Sequence, residues 1–443
     1  MKRKTTTTYK FATARADTPP AAGDTNAYWN PAAPRVPGLV RTNQVDDGAT
    51  IASYSWFDYD VFGNLTVERH FDSSKGQPLT TELTDANSIL IQRSYEGYGN
   101  LKSITDAKSI PTVNTWDAEG LCLTGVETSG HATTRVCDRR TGLVSSETQV
   151  DGNNGASSVV RKMTYDALNR RKSITEAAGS GVERKTTAEY DDGNRTVTVT
   201  TPLDGGRSLR TVDHYDELGR VVRTESQDDS GAMNIATDHV YQAVKGDLAS
   251  YEAVSNPYCM ATGPQCDNTG VQGWTRTRRD ANNRVVEVAS FDGAGQPYPW
   301  VTNGAGAGAG ATTTSYDAER STMTDAGTKR RTNTTDALGR LVSVVEDPSG
   351  TPAATTYVYD AADRLTDVQQ SGRNRHFGYD TLGRLGVATN PESGTVSYTY
   401  DGNGNLTKKT DARGAVTEYA YDALNRMTLK RYAVPDKVAA TDT

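Results

Sequence analysis

Residues capable of chemistry are plentiful in this chain, but their spacing does not assemble them. Five histidines, His70, His131, His214, His239 and His376, are spread across 443 residues. None has a partner at the spacing of a zinc ligand pair, so each reads as a strand or loop residue. Serine and threonine are abundant, yet no Gly-x-Ser-x-Gly elbow presents one as a nucleophile. The acidic pairs Asp191-Asp192 and Asp228-Asp229 have the residue type of a glycosidase centre, but neighbours in a strand point to opposite faces. Oxygen-rich stretches occur at DGNN, 151–154, and DGNGN, 401–405, and neither completes a calcium-binding ligand loop. The glycines of NGAGAGAGA, 303–311, lack the Gly-Lys-Ser/Thr and following helix of a phosphate loop. The expectation is a non-enzymatic protein without metal or cofactor.

The four cysteines are too few for a disulfide-stapled scaffold of this length. Cys259 and Cys266 lie in the Pro/Gly-rich NPYCMATGPQCDNTG, where a bridge would close a small loop in an oxidising compartment; otherwise both are reduced loop thiols. Cys122 and Cys137 stand where other parts of the chain carry strand residues, and are expected as buried thiols.

Fourteen of the 55 acidic residues belong to a recurring pattern. Tyrosine followed by an acid occurs at Tyr59, Tyr95, Tyr165, Tyr190, Tyr215, Tyr316, Tyr359, Tyr379, Tyr400 and Tyr421. Weaker copies stand at Trp116-Asp117, Cys137-Asp138, Tyr241-Gln242, Arg279-Asp280 and Thr335-Asp336. The last four tyrosines are 20, 21 and 21 residues apart, and elsewhere the interval runs from 19 to 38. Four residues after the aromatic, eleven of fifteen copies carry Gly or Asn, including Gly63, Gly99, Asn169, Gly219, Gly339, Gly383, Gly404 and Asn425. These residues tolerate positive φ, and eleven copies return to an apolar side chain two positions later, so the chain has turned and re-entered a strand.

The side chains suit a hairpin end. Tyrosine closes the incoming strand with an amphipathic ring, and Asp60, Asp166, Asp216, Asp380 and Asp422 are expected to accept backbone amides two or three residues on. Arginine commonly follows, at Arg170, Arg220, Arg340, Arg384 and Arg426, and reads as a surface residue pairing weakly across the turn. Between turns the sequence alternates with period two, as at Val396, Tyr398 and Tyr400 against Thr395, Ser397 and Thr399. A second reversal is marked by PESG, DARG, DAGT or DPSG, leaving two strands of about six residues per unit.

The fold class is therefore all-β, a meander of antiparallel hairpins repeating about every 21 residues from 51 to 435. Residues 1–50, with five prolines, read as an extended lead-in or the remnant of an upstream domain, and 436–443 as a tail. Insertions interrupt the repeat at about 255–273 and at 303–311. A formal charge of -7 with interleaved signs offers no basic face to nucleic acid. No apolar segment approaches a membrane span, and the start has no signal-peptide core.

Copies such as YDALNRRKSITEA, YDELGRVVRTES, DALGRLVSVVEDPSG and YDTLGRLGVATNPESG resemble the RHS/YD-repeat family, whose motif is Tyr-Asp-x-x-Gly-Arg-Leu. The resemblance implies a spiralling sheet forming part of a hollow β-shell. It also implies a secreted or cell-surface bacterial protein that encloses or presents a C-terminal toxin domain, as in insecticidal toxin complex C components, with teneurins as animal relatives. Its implied partners are the rest of the shell, the toxin cargo and a secretion apparatus. A cell-surface protein binding glycans through exposed tyrosines is the alternative, although eleven of 22 tyrosines occupy the turn position. The family's sealing segment and autoproteolytic aspartates are not matched: Asp347-Pro348-Ser349-Gly350 lacks the Gly-Leu continuation and is followed by further repeats.

Overall fold

The computed structural model describes residues 4–9, 40–46, 51–60, 62–79, 83–150, 158–228, 230–243, 250–262, 270–271, 273–293, 310–347 and 352–433. Regular structure among them is antiparallel strand, apart from single 3-10 turns at Ser73–Lys75 and Asp204–Gly206. The all-β expectation holds. Burial alternates along strands such as Gly394–Tyr400, as a pleated strand with two unlike faces requires.

The contacts divide the chain into two units. The first holds the described parts of 1–142, 149–158 and 355–443. In it, Ile51–Tyr59, Leu65–Phe71, Ser88–Tyr95, Leu101–Thr105, Pro111–Trp116, Leu123–Thr128 and His131–Cys137 pair in chain order. Lys4–Tyr9 and Val40–Asp46 add two strands upstream of Ile51, so the ladder begins earlier than the repeated pattern does. A second meander runs from Leu365–Gln370 through Arg373–Tyr379, Leu385–Asn390, Gly394–Tyr400, Leu406–Thr410 and Val416–Tyr421 to Met427–Ala433.

The second unit, from 159 to 354 with 143–148, is the same kind of meander, from Ser158–Tyr165 to Leu341–Asp347. Its longest strand, Met233–Ala243, pairs with Val221–Gln227 on one edge. The other edge is shared between Tyr258–Cys259 and Ser250–Ser255, so the insertion at 255–273 begins with a short strand of its own.

Among the described residues few apolar side chains are buried, and many of those are alanines: Ala52, Ala236, Ala253, Ala289, Ala361 and Ala388, with Phe71, Trp274 and Val344 among the larger ones. Cohesion rests heavily on the strand ladders and on side chains at the turns.

Cys122 and Cys137 form a disulfide, where buried thiols were expected. The hairpin register explains it: with Gly125 opposite Thr134 and Val126 opposite Thr133, Cys122 falls opposite Cys137, with their Cα atoms 6.5 Å apart. Cys259 is also disulfide-bonded, while Cys266 lies outside the described residues. So do the DGNN stretch, 303–309 of the glycine-rich segment, and Pro348 to Gly350.

Candidate functional site

Each Tyr-Asp turn is built by its carboxylate. In the copy at Tyr379, Asp380 Oδ1 accepts the amides of Leu382 and Arg384, two and four residues on, at 3.0 and 2.9 Å. The Gly383 amide bonds the Asp380 carbonyl, and the Asp380 amide donates to the Arg384 carbonyl. This is a type I turn followed by a left-handed residue and a bulge, and Gly383 has φ +81°. The same bonds recur at Asp60, Asp166, Asp216, Asp280, Asp336, Asp360 and Asp422, so the second amide lies four residues on and not three. At the expected glycine or asparagine, φ is positive at Gly63, Gly99, Asn169, Gly219 and Asn425. Asp106, Asp325 and Asp411 build second reversals with the same backbone bond.

Oδ2 of the aspartate takes the Nε of the following arginine, at 2.7 Å in Asp166–Arg170, 2.8 Å in Asp216–Arg220 and 2.6 Å in Asp380–Arg384. The bond from Arg284 holds Asp280 below the usual carboxylate range, and that from Arg340 does the same for Asp336. At Asp216 and Asp422 the backbone amide of Arg220 or Arg426 is the leading cause of the same shift. Not all these arginines are surface residues. The Arg384 side chain retains only 11 % of its accessibility, because its other two nitrogens are also engaged. Nη1 donates to the Asp401 carbonyl at 3.0 Å, and Nη2 to Asp72 and Ser74 at 3.0 and 3.1 Å.

The arginines also couple one repeat to the next. Arg170 lies 4.2 Å from the ring centroid of Tyr190, Arg220 4.5 Å from Tyr241, Arg284 4.3 Å from Tyr316, and Arg384 5.3 Å from Tyr400. The tyrosine hydroxyl reaches back to the preceding repeat: Tyr95 to the Leu65 carbonyl, Tyr165 to Val144, Tyr316 to Val285 and Tyr400 to Leu385, at 2.9 to 3.0 Å. Trp116 keeps this bond through its indole nitrogen, 3.0 Å from the Leu101 carbonyl, which accounts for tryptophan at that copy. Spacing alone concealed this. A recurrent arginine five residues after the first residue of one copy and, in these four pairs, 16, 20, 21 or 32 before its tyrosine was the available signal.

Within the first unit, successive Tyr-Asp turns of the C-terminal meander meet successive reversals of the N-terminal one. Ala361 packs on Val45 and Ala52. Thr381 and Ser73 exchange bonds of 2.9 and 3.1 Å, beside the Arg384–Asp72 pair. Asn403 donates to Asp106 at 2.6 Å, Lys108 stands 3.5 Å from Asp401, and Arg426 donates to His131 at 3.2 Å.

A cavity of about 450 Å³ opens beside this contact line, bordered by Ser55, His70, Ile89, Ile91, Leu382 and Arg384. In it, His70 Nδ1 lies 2.7 Å from Ser55 Oγ and Nε2 lies 2.8 Å from Glu68 Oε1. Arg93 donates to the other Glu68 oxygen at 2.7 Å. The hydrogen bond from His70 and, after it, that from Arg93 outweigh burial and hold Glu68 down to about 2. Three other histidines have side-chain partners: His131 with Arg426, and His214 and His376 with carboxylates of neighbouring strands, Glu225 and Asp367. Cross-strand pairing brings such groups together at separations that ligand-spacing rules do not search.

The family model described as RHS Repeat matches residues 336–372, 379–415 and 400–434. Those segments begin on or beside Tyr-Asp turns whose geometry recurs through the chain. These C-terminal segments are RHS repeats. The search of curated proteins finds no match. Among solved structures, TcdB2-TccC3 without its hypervariable C-terminal region is similar over 89 % of this chain and 24 % of that one, at 14 % identity and a TM-score of 0.51. The Photorhabdus luminescens Tc holotoxin pore matches over 89 % and 26 %, at 13 % identity and a TM-score of 0.41. The chain thus spans about a quarter of the length of these structures.

The acidic pair Asp191-Asp192 is divided between two partners. Asp191 caps the Asn194 amide, whereas Asp192 pairs with Arg170; Asp228 caps its own turn, and Asp229 lies outside the described residues. The oxygens of Asp401 in DGNGN take the Asn403 and Asn405 amides and the Asn405 side chain, leaving them committed to the turn. No helix among the described residues is long and apolar enough to cross a membrane.

Proposed function

We propose that this repeat chain is wall material of a β-shell, a scaffold that encloses or presents a toxin domain in bacterial competition or host targeting. The observation that carries the reading is the turn-on-turn contact of the first unit, where residues 45, 72, 106 and 131 meet 361, 384, 403 and 426 in the same order. A sheet that winds back over itself would stack its layers in this way, each step displaced by one repeat. The similarity to TcdB2-TccC3 supports the same fold, and the region named as hypervariable in that structure is C-terminal, where a cargo would follow these repeats. Secretion or delivery follows from the role, and a disulfide between Cys122 and Cys137 suits an oxidising destination.

The adhesion alternative finds less support at the repeated tyrosines. Tyr190, Tyr241, Tyr316 and Tyr400 each have an arginine over the ring, so these rings do not offer an open platform to a sugar.

The test is protease protection of the complete native polypeptide. A domain following residue 443 should resist digestion while the repeats are intact and become sensitive once they are denatured. Cleavage at the rate of the isolated domain would overturn enclosure.

A further inference from the structure

We propose that Ser55, His70 and Glu68 form an acyl-transfer site that hydrolyses small carboxylic esters, with Ser55 Oγ as the nucleophile and His70 as its base. Ser55 and His70 are directly opposite on the paired strands Ile51–Tyr59 and Leu65–Phe71, and Glu68 precedes His70 by two residues, so all three side chains share one face. The contacts are those a nucleophile, base and orienting acid require: 2.7 Å from Ser55 to the imidazole and 2.8 Å from the imidazole to Glu68. Glu68 is itself anchored by Arg93 at 2.7 Å, and Phe57 meets the His70 ring edge-on at a centroid distance of 6.3 Å.

The network sets the tautomer. Glu68, held down to about 2, is a carboxylate at neutral pH and can only accept, so Nε2 carries the proton and Nδ1 presents its lone pair to the Ser55 hydroxyl. The ring nitrogens are exchanged relative to the familiar serine triad, but the roles are preserved. The cavity of about 450 Å³ reaches Ser55 and His70 and has Ile89, Ile91 and Leu382 on its border beside the polar Thr381, Arg384 and Asn403, room for a short acyl ester.

The step balances without another reactant than water. Ser55 Oγ bonds to the acyl carbon as its proton passes to His70 Nδ1, and the ester C–O bond breaks as the leaving alkoxide takes that proton. Water then attacks the acyl-serine, giving a proton to His70, which returns it to Ser55 Oγ as the carboxylic acid departs. Glu68 is a positioning residue that steadies the imidazolium.

The full 443-residue chain should react with diisopropyl fluorophosphate at Ser55, located by peptide mass, and should hydrolyse p-nitrophenyl acetate. Ser55→Ala should abolish both. His70→Gly should lower the rate about a hundredfold or more, with partial recovery in added imidazole. Glu68→Gln should lower kcat about tenfold at unchanged KM, a split that loss of a purely structural contact would not produce. Circular dichroism of each variant checks that the strands persist. An unlabelled Ser55, labelling unchanged in His70→Gly, or esterase activity retained by Ser55→Ala would overturn the proposal.

Discussion

Arg384 and Asp72, 312 residues apart in sequence, are joined by a 3.0 Å hydrogen-bonded ion pair in which both side chains are almost wholly buried, at 11 % and 4 % exposure. The pair ties a Tyr-Asp turn to a reversal of the N-terminal meander. Removing one partner leaves the other charge buried and unpaired, which typically costs about 3–5 kcal/mol. Arg384→Ala should therefore lower stability by about that amount in denaturant unfolding, and Arg384→Lys should recover little, because one ammonium cannot serve Asp380, Asp401 and Asp72 together. In a double-mutant cycle with Asp72→Ala, the double variant should be less damaged than the sum of the singles.

Glu68 makes stability depend on acid. Its carboxyl titrates at about 2 when folded against 4.5 for the free group, so the lowered value adds stability that is complete above pH 4.5 and is lost as pH falls towards 2. Allowing for solvent screening, the contribution is about 1–2 kcal/mol. Urea midpoints of the native chain and Glu68→Gln should differ at pH 6 and converge below pH 3.

The positive φ of +81° at Gly383 is met by open space where a Cβ would lie, so a substitution there tests backbone conformation alone. Gly383→Val should cost about 1–2 kcal/mol, and Gly383→Asn much less, matching the asparagine already present at Asn169 and Asn425. Thermal unfolding of the two variants distinguishes them.

Reduction should weaken the first unit. The bridge between Cys122 and Cys137 spans a sequence separation of 15. Its loss should cost about 2–3 kcal/mol by the loop-closure argument. Iodoacetamide should modify both cysteines only after dithiothreitol, and Cys122→Ala with Cys137→Ala should reproduce the lower unfolding midpoint.

Arg170 and Tyr190 should couple by about 0.5–1 kcal/mol in a double-mutant cycle, the range of an exposed cation over an aromatic ring. Zero coupling would leave the neighbouring repeats joined by the ladder alone.

The strands and turns were legible because their causes are local. Asp380, Gly383 and Arg384 lie within five consecutive residues, and period-two alternation marks the strands between turns. What joins repeats was not legible in the same way. The partner of Arg384 at Tyr400 is 16 positions away and its partner Asp72 is 312, so no local window contains them. Reading arginine as a surface residue failed where folding buried it. Cys122 and Cys137 were misjudged because their pairing depends on hairpin register, and Ser55, His70 and Glu68 were passed over because they meet across a pair of strands.

The Tyr-Asp turn leaves little latitude for change in length, since its carboxylate must reach amides two and four residues on and its arginine must meet the next ring. The long intervals between copies follow from this. The extra residues after Phe71, after Ser255 and after Asp292 fall at the opposite reversals. Length drift over evolution is thereby channelled to those reversals, and they are also the places where an affinity tag or a foreign domain could be grafted without unzipping the array.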